Sequence, residues 1–168
     1  INGNGNVNGV KKNIYKPIEY NYDYIRNDKE KKVNIVYLDD KIKKSTVYPE
    51  FDKTKLIEIN EIDLIDTIDP ATFFLNMLYY DLTNNCTQNF KIFDGKRRYN
   101  IVFLKKIIKE TEIICEAQQI KIGGYKKNKL KNADTGDYIY VKYNKIDYSF
   151  REYEAKSGNV IIKIIETS

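Results

Sequence analysis

The sequence predicts a mainly β fold: a curved antiparallel sheet forming an open or half-closed barrel, with one apolar helix packed against its concave face. Three observations carry this. The apolar residues are mostly Ile, Val, Tyr and Phe, which suit strands, while helix-favouring Ala and Leu are few. Apolar and polar residues alternate in short runs along most of the chain. Only the stretch opened by Asp69-Pro70 reads as a convincing helix. The chain has 168 residues, which predicts a single domain over 1–168. At 42% hydrophobic and 32% charged residues, it has the means to bury a core and is not a disordered chain.

The opening Ile1-Asn2-Gly3-Asn4-Gly5-Asn6-Val7-Asn8-Gly9 is polar and Gly-rich. Residues 1–12 read either as a linker or as an edge strand with small residues on one face. Tyr20, Tyr22 and Tyr24 then fall on one face of a strand. Val33, Ile35 and Tyr37 form the next, Asp39-Asp40-Lys41 turns it, and Ile42 to Tyr48 returns, giving a three-strand meander. Residues 50–68 mix apolar and acidic residues without a period and read as a solvated loop over the domain edge. Glu58, Glu61, Asp63, Asp66 and Asp69 lack the tight spacing around a glycine that a calcium loop needs.

Asp69 suits an N-cap and Pro70 a first helical position, so Ala71 to Leu82 reads as the helix. Phe73, Met77 and Tyr80 project to one side, and Phe74, Leu78 and Leu82 to the next. Thr72, Asn76 and Asp81 make no continuous polar face. Such a helix is expected to be buried, as a permanent plug or as a lid over an apolar cavity. Beyond it, Phe90 to Phe93 runs into Asp94-Gly95, a two-residue hairpin signal, and Tyr99, Ile101 and Phe103 return. Thr111 to Ile122 is a long strand broken by Gly123-Gly124, and Lys126 to Asp134 is a basic loop. Tyr138–Tyr143, Ile146–Tyr153 and Val160–Ile165 complete about nine strands, with Ser157-Gly158-Asn159 turning the last hairpin.

The net charge is +5, but nearly all of it is Lys dispersed among 24 acidic residues. That composition fits a Lys-, Asn- and Ile-rich coding bias, and no nucleic-acid binding is expected. Lys126, Lys127, Lys129 and Lys131 read as a solvated loop, with contact to anionic lipid heads as the alternative. The chain has no His, which removes Ser-His and Cys-His catalysis and the commonest zinc sites. No phosphate loop or dinucleotide fingerprint is present. A non-enzyme with no catalytic, metal or cofactor site is expected; carboxylate-based glycan hydrolysis is the alternative. No stretch reaches the ~20 apolar residues of a membrane span. In the basic run Lys96-Arg97-Arg98, one arginine should point inward and find an acid or carbonyl, and a structural ion pair is expected there. The tyrosine stripes, including Tyr138 and Tyr140, read as core packing or as the lining of a ligand cavity.

The order Asp69-Pro70 opening an apolar helix, Cys86, the hairpin Phe93-Asp94-Gly95-Lys96-Arg97-Arg98-Tyr99-Asn100, then Cys115-Glu116-Ala117 and Ile122-Gly123-Gly124-Tyr125-Lys126 resembles a bacterial family called domain of unknown function 3108. The resemblance covers nearly the whole chain. Lys121 stands where that family usually has Pro, and the chain begins later than family members do, so a missing N-terminal portion is expected. The resemblance implies export to the periplasm or envelope. By analogy of fold with periplasmic acyl-chain carriers, it implies a binding module for a lipid or acyl chain; an interaction protein supporting envelope integrity through a protein or glycan partner is the alternative. In an exported domain, Cys86 and Cys115 are expected to form a disulfide. First and third strands of a meander lie about 10 Å apart, so Cys86 should precede its strand and lie across the end of the middle one.

Overall fold

The computed structural model describes residues 2–11, 14–26, 28–79, 86–127, 138–157 and 160–165. Among them are ten strands and one α-helix: β1 (Asn2–Lys11), β2 (Tyr15–Arg26), β3 (Lys29–Leu38), β4 (Lys41–Tyr48), α1 (Pro70–Tyr79), β5 (Asn89–Phe93), β6 (Arg98–Ile108), β7 (Glu112–Gly123), β8 (Tyr138–Asn144), β9 (Phe150–Ser157) and β10 (Val160–Ile165). The fold is mainly β, antiparallel and open, with the single helix that the sequence predicts. The strands divide into two sheets, β1-β2-β3-β4 and β10-β9-β8-β7-β6-β5, and neither closes into a barrel. Each is a meander, so every ladder joins sequence neighbours.

Glycines on β1 make room for rings on β2. Gly5 pairs with Tyr22, and a Cβ there would stand 3.0 Å from the Tyr22 ring. Tyr20, Ile35, Tyr37 and Phe93 form a small core under this sheet. The larger core lies on one face of the six-stranded sheet, where partners such as Phe103, Ala117 and Ile139 line up strand to strand. Ile146–Ser149 are a turn and not the start of β9: Ile146 is 88% exposed, and Asn144 and Asp147 cap the turn by accepting the Ile146 and Ser149 amides.

The segment 50–68 is exposed or half-exposed through residue 66, as a solvated loop over the domain edge would be, but its backbone is tied to both sheets and its end is buried, so it is also a strap between them. Ile68 makes a parallel bridge to Ile92, accepting from Phe93 N and donating to the Lys91 carbonyl, and so covers part of the β5 edge. Ile57 exchanges two backbone hydrogen bonds with Tyr125 and Gly124, and Asp66 N donates to the Asp40 carbonyl. Thr67, Ile68 and Asp69 are buried. These backbone pairings, invisible to hydrophobic period, draw the strap inward.

Cys86 and Cys115 form a disulfide with Cα atoms 5.2 Å apart. Cys86 precedes β5, as the strand spacing requires, and both cysteines are fully buried. The β5–β6 hairpin turns through four residues and not two. Asp94 N donates to the Arg97 carbonyl, and Asp94 Oδ1 accepts from Lys96 N (2.9 Å) and Arg97 N (2.6 Å), closing the loop as an Asx turn. Gly95 takes φ +89° at the tip, where a Cβ would strike Val33 of the other sheet at 2.7 Å.

Candidate active face: an apolar cavity between helix and sheet

Helix α1 starts on Asp69, whose carboxylate accepts from Thr72 N (2.9 Å) and Thr72 Oγ1 (2.6 Å). Asp69 is fully buried, and that burial pushes its carboxyl above the ordinary carboxylate range while the Thr72 bonds pull the other way. Phe73 and Met77 point into the larger core. The helix is not apolar all round toward the protein: Thr72 and Asn76 are buried, whereas Leu78 is 42% and Tyr79 63% exposed. The reason is hydrogen bonding. Asn76 Oδ1 accepts from Tyr15 N (2.7 Å), and its Nδ2 donates to the Tyr15 carbonyl (3.0 Å) and the Thr72 carbonyl (3.0 Å). The side chain thus pairs with the first residue of β2 as a neighbouring strand would. At the other end, the Tyr143 hydroxyl donates to the Met77 carbonyl (3.1 Å). Tyr80, Asp81 and Leu82 lie outside the described residues.

Between the start of α1 and the six-stranded sheet lies a cavity of about 350 Å³. Phe73 and Phe74 line it from the helix, Ile101 from β6, Ile139 from β8, and Tyr153 and Ala155 from β9. The Phe74 ring meets Tyr153 edge-on at 5.0 Å. Ile162 and Ile164 of edge strand β10 complete the wall, both partly exposed. Burial pushes the Tyr153 hydroxyl up to about 12. Polar groups are few: Tyr99, Gln119, Tyr138 and Lys156. Gln119 Nε2 donates to the Tyr125 hydroxyl (2.8 Å), and the Lys156 ammonium lies 5.9 Å from the Tyr138 ring centre.

The site residues read from sequence divide cleanly. Phe73 and Phe74 line the cavity, and Met77 lies in the core behind them. Leu78 faces outward. Tyr20, Tyr22 and Tyr24 do not reach the cavity: they stack along the four-stranded sheet, with Tyr20 in the small core and Lys31 over the Tyr24 ring. In the hairpin, Phe93 joins the small core and Tyr99 lines the cavity. Arg98 is the inward arginine, but its partners are not a carboxylate. Its Nε donates to the Asp63 carbonyl (2.6 Å), and its Nη1 to the Tyr99 carbonyl (2.6 Å) and Asn100 Oδ1 (2.8 Å). Arg98 therefore holds the strap to the sheet through carbonyl oxygens, which cost less to bury than a carboxylate. Arg97 is exposed, 5.8 Å from the Tyr125 ring.

The sequence reading missed the β10 wall and Gln119. Ile162 and Ile164 alternate with Lys163, a period that marks their shared face, but nothing local says that this face meets α1. Among the described residues, no helix is long and apolar enough to cross a membrane. No family model, curated protein or solved structure matches the chain.

Proposed function

We propose that the protein is a non-catalytic binding module for an apolar ligand, a lipid or acyl chain, in the bacterial envelope. The observation that carries this is the cavity of about 350 Å³ walled by aromatic and aliphatic side chains. That volume is at the small end for ligand sites, so it suits one chain and not a multi-chain lipid. The buried Cys86–Cys115 disulfide supports an oxidising compartment, in keeping with the resemblance to domain of unknown function 3108.

The test uses the neutral fluorescent probe N-phenyl-1-naphthylamine. Saturable uptake of one probe per chain is expected. Ala155→Phe, which fills the cavity from β9, should weaken it at least about tenfold, the loss of roughly 1.4 kcal/mol or more. No uptake, or uptake untouched by a folded Ala155→Phe variant, would sink the reading.

A second reading, an interaction module of the envelope, is favoured by β10. This strand leaves Ile161, Ile162, Ile164 and Ile165 each 40–60% exposed, beside a backbone edge that no other described strand pairs with, a surface suited to strand addition. Failure of probe uptake together with a stable partner captured through β10 would put this reading in place of the first.

A further inference from the structure

On the face of the six-stranded sheet away from α1, two lysines are ion-paired: Lys142 with Glu152 (2.8 Å), and Lys163 with Glu152 (3.1 Å) and Glu154 (3.6 Å). On the cavity face, β7 runs Ile113, Cys115, Ala117, Gln119, Lys121. The first three are buried, Gln119 lines the cavity, and Lys121 pairs across the ladder with Tyr99, itself a lining residue. The apolar face thus turns polar and then cationic along one strand.

The turn after β7 sharpens that end. Gly124 has φ +77° and passes so near the hairpin that a Cβ would overlap the Lys96 carbonyl. Tyr125 is thereby laid beside Gln119, and its hydroxyl accepts the Gln119 amide. Two cations converge on the Tyr125 ring, Lys121 at 5.7 Å and Arg97 at 5.8 Å. Neither has a carboxylate within ion-pair distance among the described residues. The nearby acid is Asp94: its Oδ1 accepts the Lys96 and Arg97 amides, and burial and its charge raise the Tyr125 hydroxyl while Arg97 lowers it. Lys96, close by, is held below the ordinary lysine range by burial and by the charges of Arg97, Lys31 and Lys126, with Asp94 pulling the other way. Lys156 also borders the cavity, beside the Tyr138 hydroxyl that donates to Glu154 at 2.7 Å, and is the competing cation.

We infer that the ligand is a single-chain amphiphile with an anionic head, its chain in the cavity and its head held by Arg97 and Lys121 beside Gln119 and Tyr125. This rests on the apolar-ligand reading and adds the class of head group. A carboxylate or a phosphate monoester would satisfy the same cations through charge-assisted hydrogen bonds.

Decanoate, decyl phosphate and 1-decanol, matched in chain, are competed against N-phenyl-1-naphthylamine. At low salt at least one anion should displace the probe about tenfold or more better than decanol, and the advantage should shrink as salt rises. Which anion is better identifies the head. Arg97→Ala/Lys121→Ala should abolish that advantage and leave decanol unchanged, whereas Lys43→Ala/Lys44→Ala, removing equal charge from exposed β4, should preserve it. Equal displacement by all three would overturn the inference while leaving the cavity reading intact. Loss of the advantage in Lys156→Ala but not in Arg97→Ala/Lys121→Ala would overturn the placement. Probe uptake that no decyl compound displaces would overturn the inference alone, and absence of probe uptake would overturn both.

Discussion

Asp69 does two opposed things from one position. As N-cap it satisfies the first turn of α1, and as a fully buried carboxylate it resists ionisation. Its folded value lies above the unfolded 3.8, so its contribution to stability is complete below that pH and is lost as pH rises through the folded value. Asparagine keeps the acceptor for Thr72 N without the charge. In urea denaturation, the stability of Asp69→Asn relative to the parent should therefore increase as pH is raised above about 4 and then level off. Asp69→Ala should lose about 1–2 kcal/mol at neutral pH through the missing cap. A relative stability of Asp69→Asn that falls with rising pH would contradict this account. The cap was legible in the Asp-Pro pair; its burial was not, because the strap that covers it is held by backbone bonds and not by an apolar pattern.

At the scale of the helix, polarity and burial are inverted. Asn76 is hidden and Leu78 is half in solvent, because an amide can complete the backbone of Tyr15 and a leucine cannot. Asn76→Leu, the change that periodicity alone would favour, should destabilise the protein by about 2–4 kcal/mol, and Asn76→Ala by a similar amount, since either strands a donor and an acceptor. Thermal or urea unfolding measures this, and a more stable Asn76→Leu variant would refute the strand-like role of the amide. The strands themselves were readable wherever one face is buried: Tyr20 with Ile35, or Ile139 with Ala117 and Ala155, announce their pairing by alternation. The turn at 145–149 was not, since Ile146 supplies an apolar residue that the fold leaves exposed. The cavity was readable only in part. Its helical wall, Phe73 and Phe74, sits in a recognisable segment, while its β10 wall depends on a contact across 88 or more positions of chain.

For the whole molecule, among the described residues, the two sheets are joined by the strap, the helix, the Gly95 tip against Val33 and Phe93 of β5 in the small core. The Cys86–Cys115 bridge, separated by 29 positions, ties the chain just after the helix region to the middle of the larger sheet. Replacing both cysteines by alanine should cost roughly 3.6 kcal/mol in the chain-entropy account. Denaturant midpoints of the variant and of the reduced parent should fall together, and a midpoint shift near zero would mean that the bridge constrains little of the unfolded chain.

The outermost strand obeys a different rule from its neighbours. Sliding β10 by one residue against β9 would put Ile161 or Ile165 at one of the two cavity positions that Ile162 and Ile164 now hold, isoleucine for isoleucine, but Lys163 at the other. The same slide would carry Lys163 away from Glu152 and Glu154 and turn it toward the cavity. In the inner strands register is written in burial; in β10 it is written in charge as well, and the Ile162–Ile164 wall of the cavity is aligned in part by ion pairs on the opposite side of the sheet.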